Sequence, residues 1–148
     1  MKYQVPKEFD LLSINIDYND FYIWHAIGLE YRPRVVVIEY HATHLPSEDK
    51  VVIYDPNGRW DTTNYFGASI LALYKLGFQK GYSLVYADER GVNLFFIRND
   101  IIDSLNEKFE NINNPLKLYK LPRYGQGPNG GHTHDPLNRP WAGSGIHN

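Results

Sequence analysis

Three observations on this 148-residue sequence predict an α/β fold. Apolar runs with strand character alternate with stretches whose apolar residues recur at helical spacing. The first three elements fall in the order strand, helix, strand within about thirty residues, the span of a parallel βαβ unit. Two later strands are separated only by Asp88-Glu89-Arg90-Gly91, a connection so short that they must be antiparallel neighbours. The expected architecture is a partial sheet, a parallel βαβ unit followed by a helix and an antiparallel β-hairpin, with a long irregular C-terminal tail. Residues 1–110 form the half-sheet domain in this reading and residues 111–148 the tail.

The stretch from Asp10 to Asp17 is a short apolar run that ends in alternation and polar residues, so it reads as a buried strand. Tyr18-Asn19-Asp20 is a turn and helix-cap signal. Phe21, Trp24, Ile27 and Gly28 follow at helical spacing until Tyr31-Arg32-Pro33 stops the helix. Arg34 to Tyr40 is rich in β-branched residues and lacks alternation, which suits a central parallel strand covered on both faces. Residues 41–66 are polar and punctuated by Pro46, Asp55-Pro56-Asn57-Gly58 and Asp61-Thr62-Thr63-Asn64, a long excursion of the kind that is usually functional or flexible. Gly67-Ala68-Ser69 opens a helix with an apolar stripe of Ile70, Leu71, Leu73, Tyr74 and Gly77, which ends near Lys80-Gly81. Tyr82–Ala87 and Val92–Ile97 are the hairpin strands, and Asp100 to Phe109 suits a short helix. From Asn111 onward Pro, Gly, Asn and His dominate, so the tail is expected to lie over the surface or a partner with no core of its own.

Composition narrows the function classes. A formal net charge of -2 and a pI near 6.3 provide no whole-chain field for nucleic acid or an anionic membrane. The longest apolar runs are far too short to span a bilayer, and no signal-peptide core follows the N-terminus, so a soluble, untargeted, cytoplasmic chain is the expectation. With no cysteine there are no disulfides, thiolate nucleophiles or cysteine-ligated zinc within the chain. Aromatic residues make up 15%, enough to keep an interface in view.

The residues also carry a resemblance. Val5-Pro6-Lys7-Glu8-Phe9-Asp10-Leu11-Leu12-Ser13-Ile14-Asn15-Ile16-Asp17-Tyr18-Asn19-Asp20 resembles the stretch around the fourth strand of FkbM-like class I methyltransferases and their uncharacterised relatives. Tyr31 to Tyr40 looks like their fifth strand, Gly67-Ala68-Ser69 with Gly81-Tyr82 like the following helix and strand, and Pro122-Arg123-Tyr124-Gly125 with Gly130-Gly131-His132 like the family's ending. The resemblance implies the back half of a Rossmann-like methyltransferase sheet, in which the last strand inserts antiparallel. It implies S-adenosylmethionine as methyl donor, with a pocket left incomplete because the donor-binding front strands precede the matched region. Asn15 stands where the family usually has aspartate and Tyr18 where it usually has glycine, and both departures weigh against activity. The opening strand would then be a hydrophobic edge with unpaired backbone groups, met by a separately encoded N-terminal half, by self-association into a homo-oligomer, or by the tail.

Candidate site residues gather at the carboxyl ends of the first two strands, where open α/β sheets place ligands. Asp17 and Glu39 are the catalytic candidates, and Asn15 and Asn19 the cofactor-contacting ones. Asp17, Glu39 and His41 offer an oxygen-rich or mixed ligand set for a divalent metal, with His44 nearby. The ordinary alternative is that Asn19 or Asp20 caps the next helix, Asp17 is a solvated strand end, and the histidines lie on the surface. His132, His134 and His147 read as solvated tail residues with incidental metal affinity. The run Gly125 to Gly131 lacks the strand and capped helix that a phosphate-cradling loop needs. Trp60, Tyr65, Phe66, Tyr119, Tyr124 and Trp141 either anchor loops on the core or form contact hot spots. Two functions remain: the back half of a split or degenerate methyltransferase, or a non-catalytic, self-assembling structural protein.

Overall fold

A computed structural model describes residues 3–147; Met1, Lys2 and Asn148, at the outer limits of the two expected segments, lie outside that range. The chain runs β1 (Leu11–Ile14), α1 (Asp20–Ala26), β2 (Val35–Glu39), β3 (Val51–Val52), α2 (Ile70–Gln79), β4 (Tyr82–Ala87), β5 (Asn93–Arg98), α3 (Asn99–Ser104), α4 (Pro115–Leu118) and β6 (Trp141–Ala142). The main sheet is mixed, in the order β1-β2-β5-β4. β1 and β2 are parallel, and β5 lies antiparallel between β2 and β4. Among the described residues no helix is long and apolar enough to cross a membrane.

Register explains the core. Leu12 pairs with Val36 and Ile14 with Ile38; across the next ladder Val36 meets Phe96 and Ile38 meets Leu94. Period-two alternation puts these residues on one face. There they meet Trp24 of α1, whose ring sits 4.9 Å from Phe96 and 5.9 Å from Tyr82, together with Leu73 and Leu76 of α2. Gly77 permits this meeting, because a Cβ there would lie 2.6 Å from the Phe96 ring and 3.0 Å from Trp24. The other face is less well covered, with Val35, Val37, Phe95 and Ile97 only half-buried and Leu11 55% exposed. The expectation that β2 is covered on both faces is thus corrected: α1 and α2 close only the Val36/Ile38 side, so the β-branched run alternates in burial although it does not alternate in polarity.

The two outer strands differ. Asn113 blocks the free edge of β4: its backbone N–H donates to Leu84 O at 2.9 Å, and its side-chain Oδ1 accepts from Leu84 N at 2.9 Å, beside a register shift between Leu84 and Tyr86. Among the described residues no strand pairs with the far side of β1, and β1 is shorter than the run from Asp10 to Asp17 suggests, because the chain leaves the ladder after Ile14.

The excursion after β2 and the tail are ordered against each other. β3 pairs with β6; Thr63 bridges to Thr133; Asn64 N donates to Thr133 O and Asn64 Oδ1 accepts from Asp135 N. Asp135 is buried and accepts from Leu137 N and Arg139 N, while the Arg139 guanidinium reaches both Asp135 and Asp61. Ser144 binds the Asp49 carboxylate through both its N–H and its hydroxyl. Leu118 and Ile146 join the main core rather than forming another. Tyr65 donates to Pro140 O and Tyr119 to Ala42 O, so these aromatics anchor loops.

Candidate functional site

At the carboxyl ends of β1 and β2 the chain turns sharply. Asp17 has φ +65°, a left-handed conformation that Asp tolerates better than most residues. The turn is braced from within by Asp20, which is fully buried and accepts from Ile16 N at 2.9 Å and Tyr18 N at 3.1 Å. Asn19 occupies the cap position of α1 without a side-chain capping hydrogen bond, and its amide nitrogen donates to Asp55 O at 2.8 Å. Tyr18 is buried, with its hydroxyl on Ile53 O and its ring against Gly58, and fixes the excursion to the turn.

This geometry brings Asn15, Asp17 and Glu39 together. With its nitrogen turned toward the carboxylates, the Asn15 amide donates to Asp17 Oδ1 at 3.0 Å and Glu39 Oε2 at 3.1 Å. Burial pushes the Glu39 carboxyl up to about 8, with further contributions from the negative charges of Asp20 and Asp17. Two neighbouring carboxylates thus differ in environment, with Asp17 exposed and Glu39 partly enclosed.

The cluster opens into a cleft of about 230 Å³ lined by Asp17, Glu39, Trp60, Phe66 and His132. Trp60 and Phe66 come from the excursion and His132 from the tail, so the packing of those two segments builds one wall. His132 lies 4.6 Å from the Trp60 ring, 5.7 Å from Phe66 and 5.3 Å from Tyr124, and burial lowers its pKa. Trp60 is held by its indole N–H on Thr63 O at 2.9 Å. By its place in a glycine-rich tail His132 is expected to be solvated; instead it lines the cleft with Glu39, a position that depends on contacts such as Thr63 to Thr133 that no local pattern signals.

His41 is not part of this cluster. Its ring is buried, its Nε2 donates to Asn64 O at 2.5 Å, and it stacks on His44 at 4.2 Å and lies tilted against Phe66 at 4.6 Å, with Trp141 against both imidazoles. Burial lowers the pKa of His41 to about 4 and holds that of His44 well below the usual histidine range. The two histidines, read as surface residues in the ordinary alternative, are interior aromatic packing. Among the described residues no group of three or more His, Asp or Glu side chains is placed to hold a metal ion.

No protein-family model, no curated protein and no solved structure matches the chain. The fold and site define an α/β protein with a mixed four-stranded sheet, bearing an amide-bridged carboxylate pair at the ends of its two parallel strands.

Proposed function

We propose that the chain is the acceptor-binding back half of a methyltransferase-like domain, with Glu39 as proton acceptor and Asp17 as orienting carboxylate. The strand order β1-β2-β5-β4, with β5 antiparallel, supports this reading, since it is the order the FkbM-like resemblance implies for the second half of the sheet. The observation that carries it is the Asp17–Asn15–Glu39 cluster at the carboxyl ends of adjacent parallel strands. An acceptor hydroxyl or amine must lose its proton to be methylated. A carboxyl whose pKa lies near the working pH is suited to take it, and typically contributes 10²–10⁴-fold. Asn15, standing where the resembled family has aspartate, supplies the hydrogen-bond donor that keeps two carboxylates side by side.

The residues fit the acceptor better than the donor. Asn15 is engaged by the carboxylates and Asn19 by Asp55, and the cleft is smaller than the roughly 300–1,000 Å³ of sites that enclose drug-sized ligands. A pocket for S-adenosylmethionine therefore needs additional surface beyond the open edge of β1, of the kind an N-terminal half of such a domain supplies. Calorimetric titration of S-adenosylmethionine into the chain, alone and mixed with the polypeptide encoded immediately upstream, tests this. Binding is expected only in the mixture, with methyl transfer that rises through about pH 8 and falls at least about 100-fold in Glu39→Gln. Saturating single-site binding by the chain alone, or transfer indifferent to Glu39→Gln, would overturn the reading.

A second reading, a non-catalytic assembly protein, is favoured by the unpaired edge of β1 and the half-exposed face beside it. A large homo-oligomer on sizing, with no S-adenosylmethionine binding in either sample, would select it.

A further inference from the structure

We infer that the cleft at the ends of β1 and β2 recognises a small organic ammonium ion, held between the Asp17–Glu39 carboxylates and an aromatic wall of Trp60, Phe66 and His132. The inference rests on the proposed function only for naming this occupant the methyl acceptor; the recognition itself follows from the lining. Among the described residues no Lys or Arg lines the cleft. Its charge-bearing side chains are two carboxylates, and His132, half-buried among aromatic rings with its pKa lowered by burial, is held toward neutrality. An anionic ligand would meet like charge, whereas a cation meets opposite charge on one side and ring π-density on the other.

The wall is built ahead of any ligand. Trp60 is tethered to Thr63 O, its ring packs at 4.6 Å on His132, and Phe66 is buried beneath. Fixed rings opposite fixed carboxylates lose little freedom on binding, which is what preorganisation requires. A volume of about 230 Å³ has room for an ammonium headgroup with a short substituent. The groups facing Glu39 are Asp17, Asp20, Tyr124 and His132, none of which brings a permanent positive charge. The unmet charge in the cleft is therefore negative.

The probe is choline, a permanent cation, against its neutral carbon isostere 3,3-dimethylbutan-1-ol and against acetate, titrated into the full chain and followed by NMR chemical shifts. Choline is expected to bind at least about tenfold more tightly than the isostere, the size of one desolvated cation–π contact, and acetate not at all. Choline affinity should rise between pH 6.5 and 9 with a midpoint near 8 as Glu39 ionises, and this dependence should vanish in Glu39→Gln. Trp60→Ala should weaken binding about tenfold and Trp60→Phe should restore most of it, which separates loss of a ring face from a disturbed loop. Equal binding of choline and the isostere, measurable acetate binding, or unchanged affinity in Trp60→Ala would overturn the inference. Choline failing to bind while methyl transfer proceeds in the reconstituted mixture would remove the ammonium specificity alone. Choline binding without any transfer would uphold the cation site and remove the methyltransferase reading.

Discussion

Glu39 should make the protein less stable as the pH rises, and Glu39→Gln should remove that dependence. The folded state holds the Glu39 carboxyl at about 8 against an ordinary 4.5, chiefly through burial. Because the folded value is raised, the native state binds a proton that the unfolded chain has released. The stabilisation is complete below about pH 4.5 and is lost as the pH climbs to about 8. At about 1.4 kcal/mol per pH unit, the full interval sets a ceiling of about 5 kcal/mol. The Asn15 amide, which donates to the ionised form, and water entering the open cleft offset part of this, which leaves about 2–3 kcal/mol. Urea unfolding of both forms at pH 5 and pH 9 gives the answer as a difference of differences, so other titrating groups cancel. Glu39→Gln should gain about 2–3 kcal/mol relative to the parent between those two pH values. A relative stability constant to within about 0.5 kcal/mol would show that Glu39 titrates like an exposed glutamate and that the cleft does not shield it.

Other outcomes follow from the same geometry. Asn15→Asp replaces the shared donor with a third carboxylate, so the Glu39 titration midpoint, followed by carboxyl carbon NMR, should climb by about one pH unit or more; a fall would refute the bridging role. Trp24→Ala removes the ring on which α1, α2, Tyr82 and Phe96 converge and should cost about 3–5 kcal/mol in urea unfolding, whereas a loss below about 1.5 kcal/mol would deny it that position. His41 and His44 have lowered pKa values in the folded state, so their contribution is present above about pH 6.5 and is lost as the pH falls toward about 4. The slope of stability in that window should shrink in His44→Phe, and an unchanged slope would place the acid sensitivity elsewhere.

The order of β1, α1, β2, α2, β4, β5 and α3 was legible in the sequence because each carries a local signal, whereas β3, α4 and β6 lie in segments whose composition reads as irregular. β-branched Val35–Ile38, the Ser69 cap that accepts from Ala72 N, the turn at Gly81 with φ +85° and the short Asp88–Gly91 connection all act within a few residues. Asp17 and Glu39 could likewise be picked out as neighbours, since adjacent parallel strands bring their carboxyl ends together. Sequence did not reveal that Asp20 turns inward to brace the turn while Asn19, at the cap position, donates to Asp55 O without capping the helix through its side chain, because polar side chains choose among several backbone partners of similar energy. Nor did it reveal which face of β2 stays open, since an unbroken apolar run is compatible with either cover. The pairing of residues 41–66 with the tail was decided only by the tertiary structure. Long-range contacts such as Thr63 with Thr133, or Asp49 with Ser144, have no period and no fixed spacing, yet they carry Trp60 and His132 to the carboxylates. The chain's local code therefore specified the main sheet's strands and the carboxylate side of the cleft; folding two irregular segments onto each other supplied the aromatic side.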